Sequence, residues 1–309
     1  MDFGTKGSPS YDNAESRQIV DSGEGGDCSK IPPARRVRRP LSNHPFAGAT
    51  GISITGTQTN IALPNLGITI DAGANVEKVL ERNLIISHFD ADHIEGIGRA
   101  ICNAINTKQP LDIVMPSMDG RPAFREAIDT FVNQDTGGMV SIHEVKGGDP
   151  VDLQKDTRVE AFKVTHSPES VGYIVWKKNL LGKWDQKLTY TGDLAPSGIE
   201  KLEPRIKNSE AIVMEASMSG SVLPLLQPIA NLFTKHASTF DVQRIARKSR
   251  EIKDIGIIHV MSGIPCWDIK NDLKAKLSGL GKHVYLFESC SKELLDDPGS
   301  RMAGFERVI

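Results

Sequence analysis

The segment Ser87-His88-Phe89-Asp90-Ala91-Asp92-His93 concentrates residue types that bind divalent metals, with four potential ligands inside six positions. It follows directly on the apolar stretch Asn83-Leu84-Ile85-Ile86. In an extended stretch His88 and Asp90 share one side, and Asp92 and His93 follow where the chain turns into a helix. One short loop can therefore present ligands to two neighbouring ions. The alternative is a solvated polar loop with two incidental histidines. Polar groups at the end of a buried strand are costly unless paired or ligating, which favours the metal reading.

The elements that must carry such a loop can be read from hydrophobic period. Residues 51–55, 60–63 and 67–70 are short β-branched runs separated by turn residues, and 83–87 is a compact apolar strand. Residues 94–105 have helical spacing, through Ile97, Ile101, Ala104 and Ile105. A strand over 111–115 and a helix over 121–132 follow. Strands are then expected at 140–145, 159–166, 171–177, 187–191 and 211–214. Helices return at 222–233 and 240–252, a strand at 255–260, a helix near 268–280 and a strand at 283–288. Two successive blocks of this kind predict a sheet-on-sheet core covered by helices, with no internal repeat.

The loop resembles the HxHxDH motif of the metallo-β-lactamase superfamily, and further motifs follow in family order. His166 ends Phe162-Lys163-Val164-Thr165-His166, Asp193 ends Thr191-Gly192-Asp193, and His259 ends Ile257-Ile258-His259. Within the superfamily the chain resembles the tRNase Z-like phosphodiesterases. His166-Ser167-Pro168-Glu169-Ser170-Val171-Gly172-Tyr173 is similar to their histidine–proline–serine–glycine–tyrosine stretch. Glu215-Ala216-Ser217 is similar to their acidic segment, and Lys235-His236-Ala237-Ser238-Thr239 to their upstream histidine segment. The likeness covers roughly residues 50–290.

The resemblance implies an α/β fold of the αββα four-layer kind, with one catalytic domain over 48–309. It implies two divalent ions, zinc foremost with manganese or iron as alternatives. One would be held by His88, Asp90 and His166, the other by Asp92, His93 and His259, with Asp193 bridging. A hydroxide shared by the ions would attack a phosphodiester. His236 would assist the leaving group, Glu215 would orient His236, and Asp92 would belong to the catalytic set. A homodimer is implied by habit of the family rather than by any residue. Asp71 and Gly73 resemble the family's Asp-x-Gly turn, with glycine expected to permit the bend and Asp71 to bond the metal loop.

The chain departs from the family pattern twice. Asp90 stands where most relatives carry histidine; an anionic oxygen ligand makes that site more welcoming to manganese or iron. This HxDxDH form also resembles the metallo-β-lactamase-like domains of bacterial competence DNA-channel proteins. Secondly, His166 and Asp193 are 27 positions apart, which leaves room for two strands and the turn at residues 179–183 but not for a tRNA-gripping arm. These features predict a phosphodiesterase acting on a small nucleotide-like substrate such as a cyclic nucleotide. A tRNase Z-like or DNA-directed nuclease, and a degenerate protein that binds metal or nucleotide without turnover, are the alternatives.

Composition agrees with a folded enzyme. The 309 residues are 39% hydrophobic and 25% charged, with 37 basic and 39 acidic side chains for a formal charge of −2. That balance argues against binding nucleic acid by bulk charge. Residues 1–47 are polar and aperiodic and read as a flexible tail, containing a cluster at Arg35, Arg36, Arg38 and Arg39. No secretory leader or membrane-length apolar run is present, so a cytoplasmic protein is expected. Cys28, Cys102, Cys266 and Cys290 lie far apart and read as ordinary thiols. His143 reads as a surface or structural histidine, and Ser238 and Thr239 as helix caps. Tyr173 and Trp267 could stack on a base or pack in the core.

Overall fold

The computed structural model describes residues 28–30, 44–148, 150–154, 156–167, 169–217, 236–249, 251–261, 266–287 and 305–309. Its first sheet contains β1 (Thr50–Thr55), β2 (Gln58–Leu63), β3 (Ile68–Ile70), β4 (Asn83–Ile85), β5 (Leu111–Pro116), β6 (Val140–Val145) and β13 (Val260–Met261), in the order β13-β1-β2-β3-β4-β5-β6. The second contains β7 (Pro150–Leu153), β8 (Thr157–Lys163), β9 (Val171–Lys178), β10 (Trp184–Tyr190), β11 (Ala211–Glu215), β12 (Asp254–Ile258), β14 (His283–Phe287) and β15 (Phe305–Arg307). Their order is β15-β14-β12-β11-β10-β9-β8-β7.

Alternation along each strand distributes side chains between layers. Ile85, Val114, Tyr173, Tyr190, Ala211 and Val213 meet in the core between the sheets. Their strand neighbours turn outward. Leu84, Ile113 and Met115 pack under α2 (Ile97–Thr107) and α3 (Pro122–Val132), which supply Ile97, Ile101, Phe124 and Ile128. On the other outer face, Ile212, Met214, Ile255 and Ile257 pack against α4 (Ile199–Ile206), α5 (Thr239–Lys248) and α6 (Cys266–Leu277). The result is the expected helix–sheet–sheet–helix sandwich.

The sheet directions locate the site. β8 and β9 are antiparallel, as are β9 and β10, while β10, β11 and β12 are mutually parallel. Hence β8, β10, β11 and β12 all end at one edge of the second sheet.

The expected strands and helices are present with ends shifted by a few residues, apart from the strand at 255–260, which is divided between the two sheets as β12 and β13, and the helix at 222–233, which lies outside the described residues. The 94–105 helix is divided into α1 (Ala91–Ile94) and α2. Gly96 closes on the preceding turn there, its N–H donating to Ala72 O at 2.7 Å. β7, α4 and β15 were not anticipated. In α4, Pro204 interrupts the helical pattern, yet Ile199, Leu202 and Ile206 still reach the core.

Two expectations need correction. Cys28 and Cys102 are not thiols but a disulfide, with Cα atoms 4.7 Å apart. Nothing in a separation of 74 residues signals such a pair; only the fold brings the positions within bonding distance. The region 1–47 is also not uniformly a tail. Cys28 is buried against α2, where Asn106 Nδ2 donates to its carbonyl at 2.6 Å. Phe46 is buried in the core between the sheets. The arginine cluster lies outside the described residues. Among those residues, no helix is long and apolar enough to cross a membrane.

Candidate metal centre

Ligand-type side chains from both sheets converge at this edge. The loop after β4 carries His88 and Asp90 and leads into α1, whose first turn holds Asp92 and His93. His166 follows β8, Asp193 follows β10, Glu215 ends β11, and His259 follows β12. His236 lies just ahead of α5, which Ser238 caps in a reciprocal capping box with Asp241, as its hydroxyl suggested.

Two groups of ligand atoms meet on Asp193. In one, Asp90 Oδ2 is 3.4 Å from both His88 Nε2 and His166 Nε2, and Asp193 Oδ2 is 3.9 and 4.0 Å from the same nitrogens. In the other, His93 Nε2 is 3.5 Å from Asp92 Oδ2 and 3.7 Å from Asp193 Oδ1. His259 Nε2 is 3.1 Å from Asp193 Oδ2 and 4.0 Å from Asp92 Oδ2. Every position inferred from the sequence is thus in the cluster.

These atoms fit a cation better than they fit one another. His88 Nε2, His93 Nε2 and Asp193 Oδ1 are buried and have no hydrogen-bond partner, a costly arrangement in a protein interior. Nitrogen and oxygen ligands about 2.0–2.2 Å from a tetrahedral ion stand roughly 3.3–3.6 Å apart, close to the spacings found. Each group offers two imidazoles, one carboxylate of its own and a share of Asp193.

Electrostatics points the same way. Burial opposes a charge on His93, but Asp193, Asp71 and Asp92 carry its pKa up to about 10. Burial likewise opposes protonation of His236, and Glu215, Asp193 and Asp92 raise it to about 8. A hydrogen bond from His166 and the neighbouring His88 imidazole hold the Asp90 carboxyl well below the usual range. Asp193 is also held low: burial would raise it, but the charges of His259 and His93 prevail. The cluster is anionic enough to demand positive charge, which protons supply when no metal is bound.

A second layer fixes the rings. Asp71, itself at φ 55°, accepts from Ser87 N–H at 2.7 Å and contacts His93 Nδ1 at 2.8 Å. The Tyr190 hydroxyl donates to the same carboxylate, and Ser87 Oγ reaches His88 Nδ1 at 2.9 Å. The left-handed residue of this turn is therefore Asp71, not Gly73. Gly73 is needed for closeness instead: a Cβ there would lie 2.6 Å from Thr59 N and 2.7 Å from Asp92 O. Buried Glu215 binds His236 Nδ1 at 2.8 Å and accepts from the Ala237 N–H at 3.1 Å and the Leu194 N–H. His236 Nδ1 is also 3.4 Å from Asp193 Oδ2.

Two of these supports, Ser87 and Tyr190, were not singled out as functional by sequence reasoning. They are ordinary strand or loop residues locally, and only their partners distinguish them. Tyr173 is fully buried and donates to Ile86 O at 2.7 Å, so it offers no base-stacking face. His143 pairs with Asp112 at 3.3 Å, apart from the cluster. The Trp267 side chain lies outside the described residues.

The family model described as the β-lactamase superfamily domain matches residues 80–254, more than half of the chain. The chain belongs to the β-lactamase superfamily. The matched region includes all the cluster residues except His259.

Among curated relatives of this superfamily member, tRNase Z TRZ1 of Arabidopsis thaliana is 28% identical over 164 residues, covering 48% of this chain and 55% of that protein. Nuclear ribonuclease Z of Triticum aestivum is 27% identical over 129 residues, covering 41% and 73%. The chain thus spans about half the length of the Arabidopsis relative. The fold is shared with YhfI of Bacillus subtilis, at TM-score 0.57 and 15% identity over 77% of this chain and 94% of that one. It is also shared with the short form of human tRNase Z, at TM-score 0.51 and 16% identity over 69% and 91%.

Proposed function

We propose that this protein is a dinuclear metal-dependent hydrolase of phosphodiester bonds, and that its substrate is a nucleic acid. The observation that carries this reading is the convergence of two matched ligand groups on Asp193, with His236 beside them. His88, Asp90 and His166 would hold one divalent ion and Asp92, His93 and His259 the other, zinc foremost, with Asp90 giving the first site room for manganese or iron. Bound there, the ions would supply Lewis acidity and water activated for attack.

The remaining work falls to the chain's own groups. Glu215 holds the Nδ1 side of His236, so that Nε2 is free to hand a proton to a departing alkoxide. Asp193, braced between the two groups, sets their separation. The tRNase Z relatives support a nucleic-acid substrate. A small cyclic nucleotide is the second reading, favoured by the short link between His166 and Asp193: β9 and β10 are joined by a turn at residues 179–183, with no protruding arm.

The test is elemental analysis of the purified protein together with hydrolysis of bis(p-nitrophenyl) phosphate before and after chelation. About two ions per chain and chelator-sensitive hydrolysis are expected. Absence of metal, with no activity after zinc or manganese is restored, would move the protein to the non-catalytic binding class. Precursor tRNA, single-stranded DNA and cyclic mononucleotides then separate the substrates; cleavage of cyclic mononucleotides alone would select the second reading.

A further inference from the structure

The chain passes from one sheet to the other at a single residue. β12 ends at Ile258 in the second sheet and β13 begins at Val260 in the first, so His259 alone makes the crossing. It does so at φ 58°, a left-handed conformation that a residue with a Cβ adopts only when its surroundings enforce it.

Four hydroxyls enforce it. Ser53 Oγ accepts the His259 N–H at 2.9 Å. Thr55 Oγ1 and Ser217 Oγ donate to its carbonyl at 2.7 and 3.0 Å. Thr59 Oγ1 meets the ring at Nδ1, 3.2 Å away. Three of the four come from the sheet that His259 is entering. Ser53 and Thr55 are two apart on β1, and Ser53 is paired with Thr59 on β2, so all three share one face. On buried strands such a face is ordinarily apolar. Here it holds hydroxyls aimed at one histidine.

We propose that the β1–β2 hairpin positions His259 for its ion, with Thr59 as the group that orients the ring. With Thr59 accepting the Nδ1 proton, Nε2 is left unprotonated and directed at Asp193 and Asp92. The second ligand group is thus completed by a hairpin that contributes none of its ligands. This inference rests on the dinuclear reading above.

The discriminating pair is Thr59→Val, which keeps the branched shape and removes the hydroxyl, and Thr59→Ser, which keeps the hydroxyl. Zinc stoichiometry and affinity are measured by chelator competition, alongside the unfolding midpoint of the chelated proteins. Wild type and Thr59→Ser should bind two ions. Thr59→Val should keep one tight ion and bind the other about 10–100-fold more weakly, a selective loss that the general destabilisation from an unpaired buried Nδ1, read from the midpoint, does not produce. Equal affinities in Thr59→Val and wild type, or a parallel weakening of both ions, would overturn the inference and leave the dinuclear reading standing. A wild type that binds no ion would remove both. Should Thr59→Val fail to fold, Thr55→Val is read by the same criteria.

Discussion

Around His88, Asp90 and His166, one ligand stands in water: half of the Asp90 side chain is exposed (50%). Around Asp92, His93 and His259, the corresponding carboxylate is 13% exposed and both imidazoles are buried. The donors are the same in kind and number, so the difference lies behind them. The rings of the second group are backed by a buried carboxylate, Asp71, and by the Thr59 hydroxyl. In the first, His88 is backed by Ser87, while Asp90 is set mainly by the imidazoles it faces. Matched ligand-type side chains thus sit in unmatched surroundings, one group dry and the other open to solvent.

The harshest way to break the comparison is to remove what the halves share. Asp193→Ala should take the protein from two bound ions to none, measured by elemental analysis, because each group then loses its common carboxylate. A variant retaining two ions would mean that Asp193 bridges nothing. Next in size, His236→Ala should keep both ions while turnover of bis(p-nitrophenyl) phosphate falls by about 10²–10⁴-fold, the usual range for a general acid. Undiminished turnover would remove His236 from the mechanism.

Asp90→His sharpens the contrast more gently. Replacing a hydrated anion by a softer nitrogen donor should raise the preference for zinc over manganese at one ion only, as read by competition binding. A shift at both ions would show that the groups are not independent. The smallest effect concerns the second group's backbone. With metal removed, His259→Gly should be more stable than His259→Ala by about 1–2 kcal/mol, because only glycine accepts the left-handed crossing without strain. Equal unfolding free energies would show that the bend relaxes once the imidazole is gone.

Local pattern made some parts of this molecule legible. The ligand loop could be read because His88, Asp90, Asp92 and His93 are contiguous and follow an apolar strand. The near-continuous apolar runs of β4, β5 and β11 marked buried strands, and the two successive blocks of strands and helices pointed to the sandwich. Asp71 and Gly73 were legible as a turn, and Asp71 bonds the metal loop as expected, but the left-handed bend falls on Asp71 rather than on Gly73. A sequence shows that a glycine is present, not whether its φ or its lack of a Cβ is what the fold requires. Pro204 hid α4, since a local rule for helix interiors says nothing of the packing that overrides it.

What the sequence alone determined is the chemistry available and the order in which it arrives: a ligand-rich loop, then His166, Asp193, Glu215 and His259 at later strand ends, with His236 ahead of a helix. Tertiary structure decided how these groups are shared and held. Asp193 lies between two ligand groups because β4 and β10 end at the same edge. His259 is left-handed because the chain must change sheets there. Thr59 and Cys28 acquire partners 200 and 74 residues away. Such pairings carry no local signal, because a hydroxyl or a thiol costs little in an isolated strand or loop. Only burial beside a particular partner gives it a role.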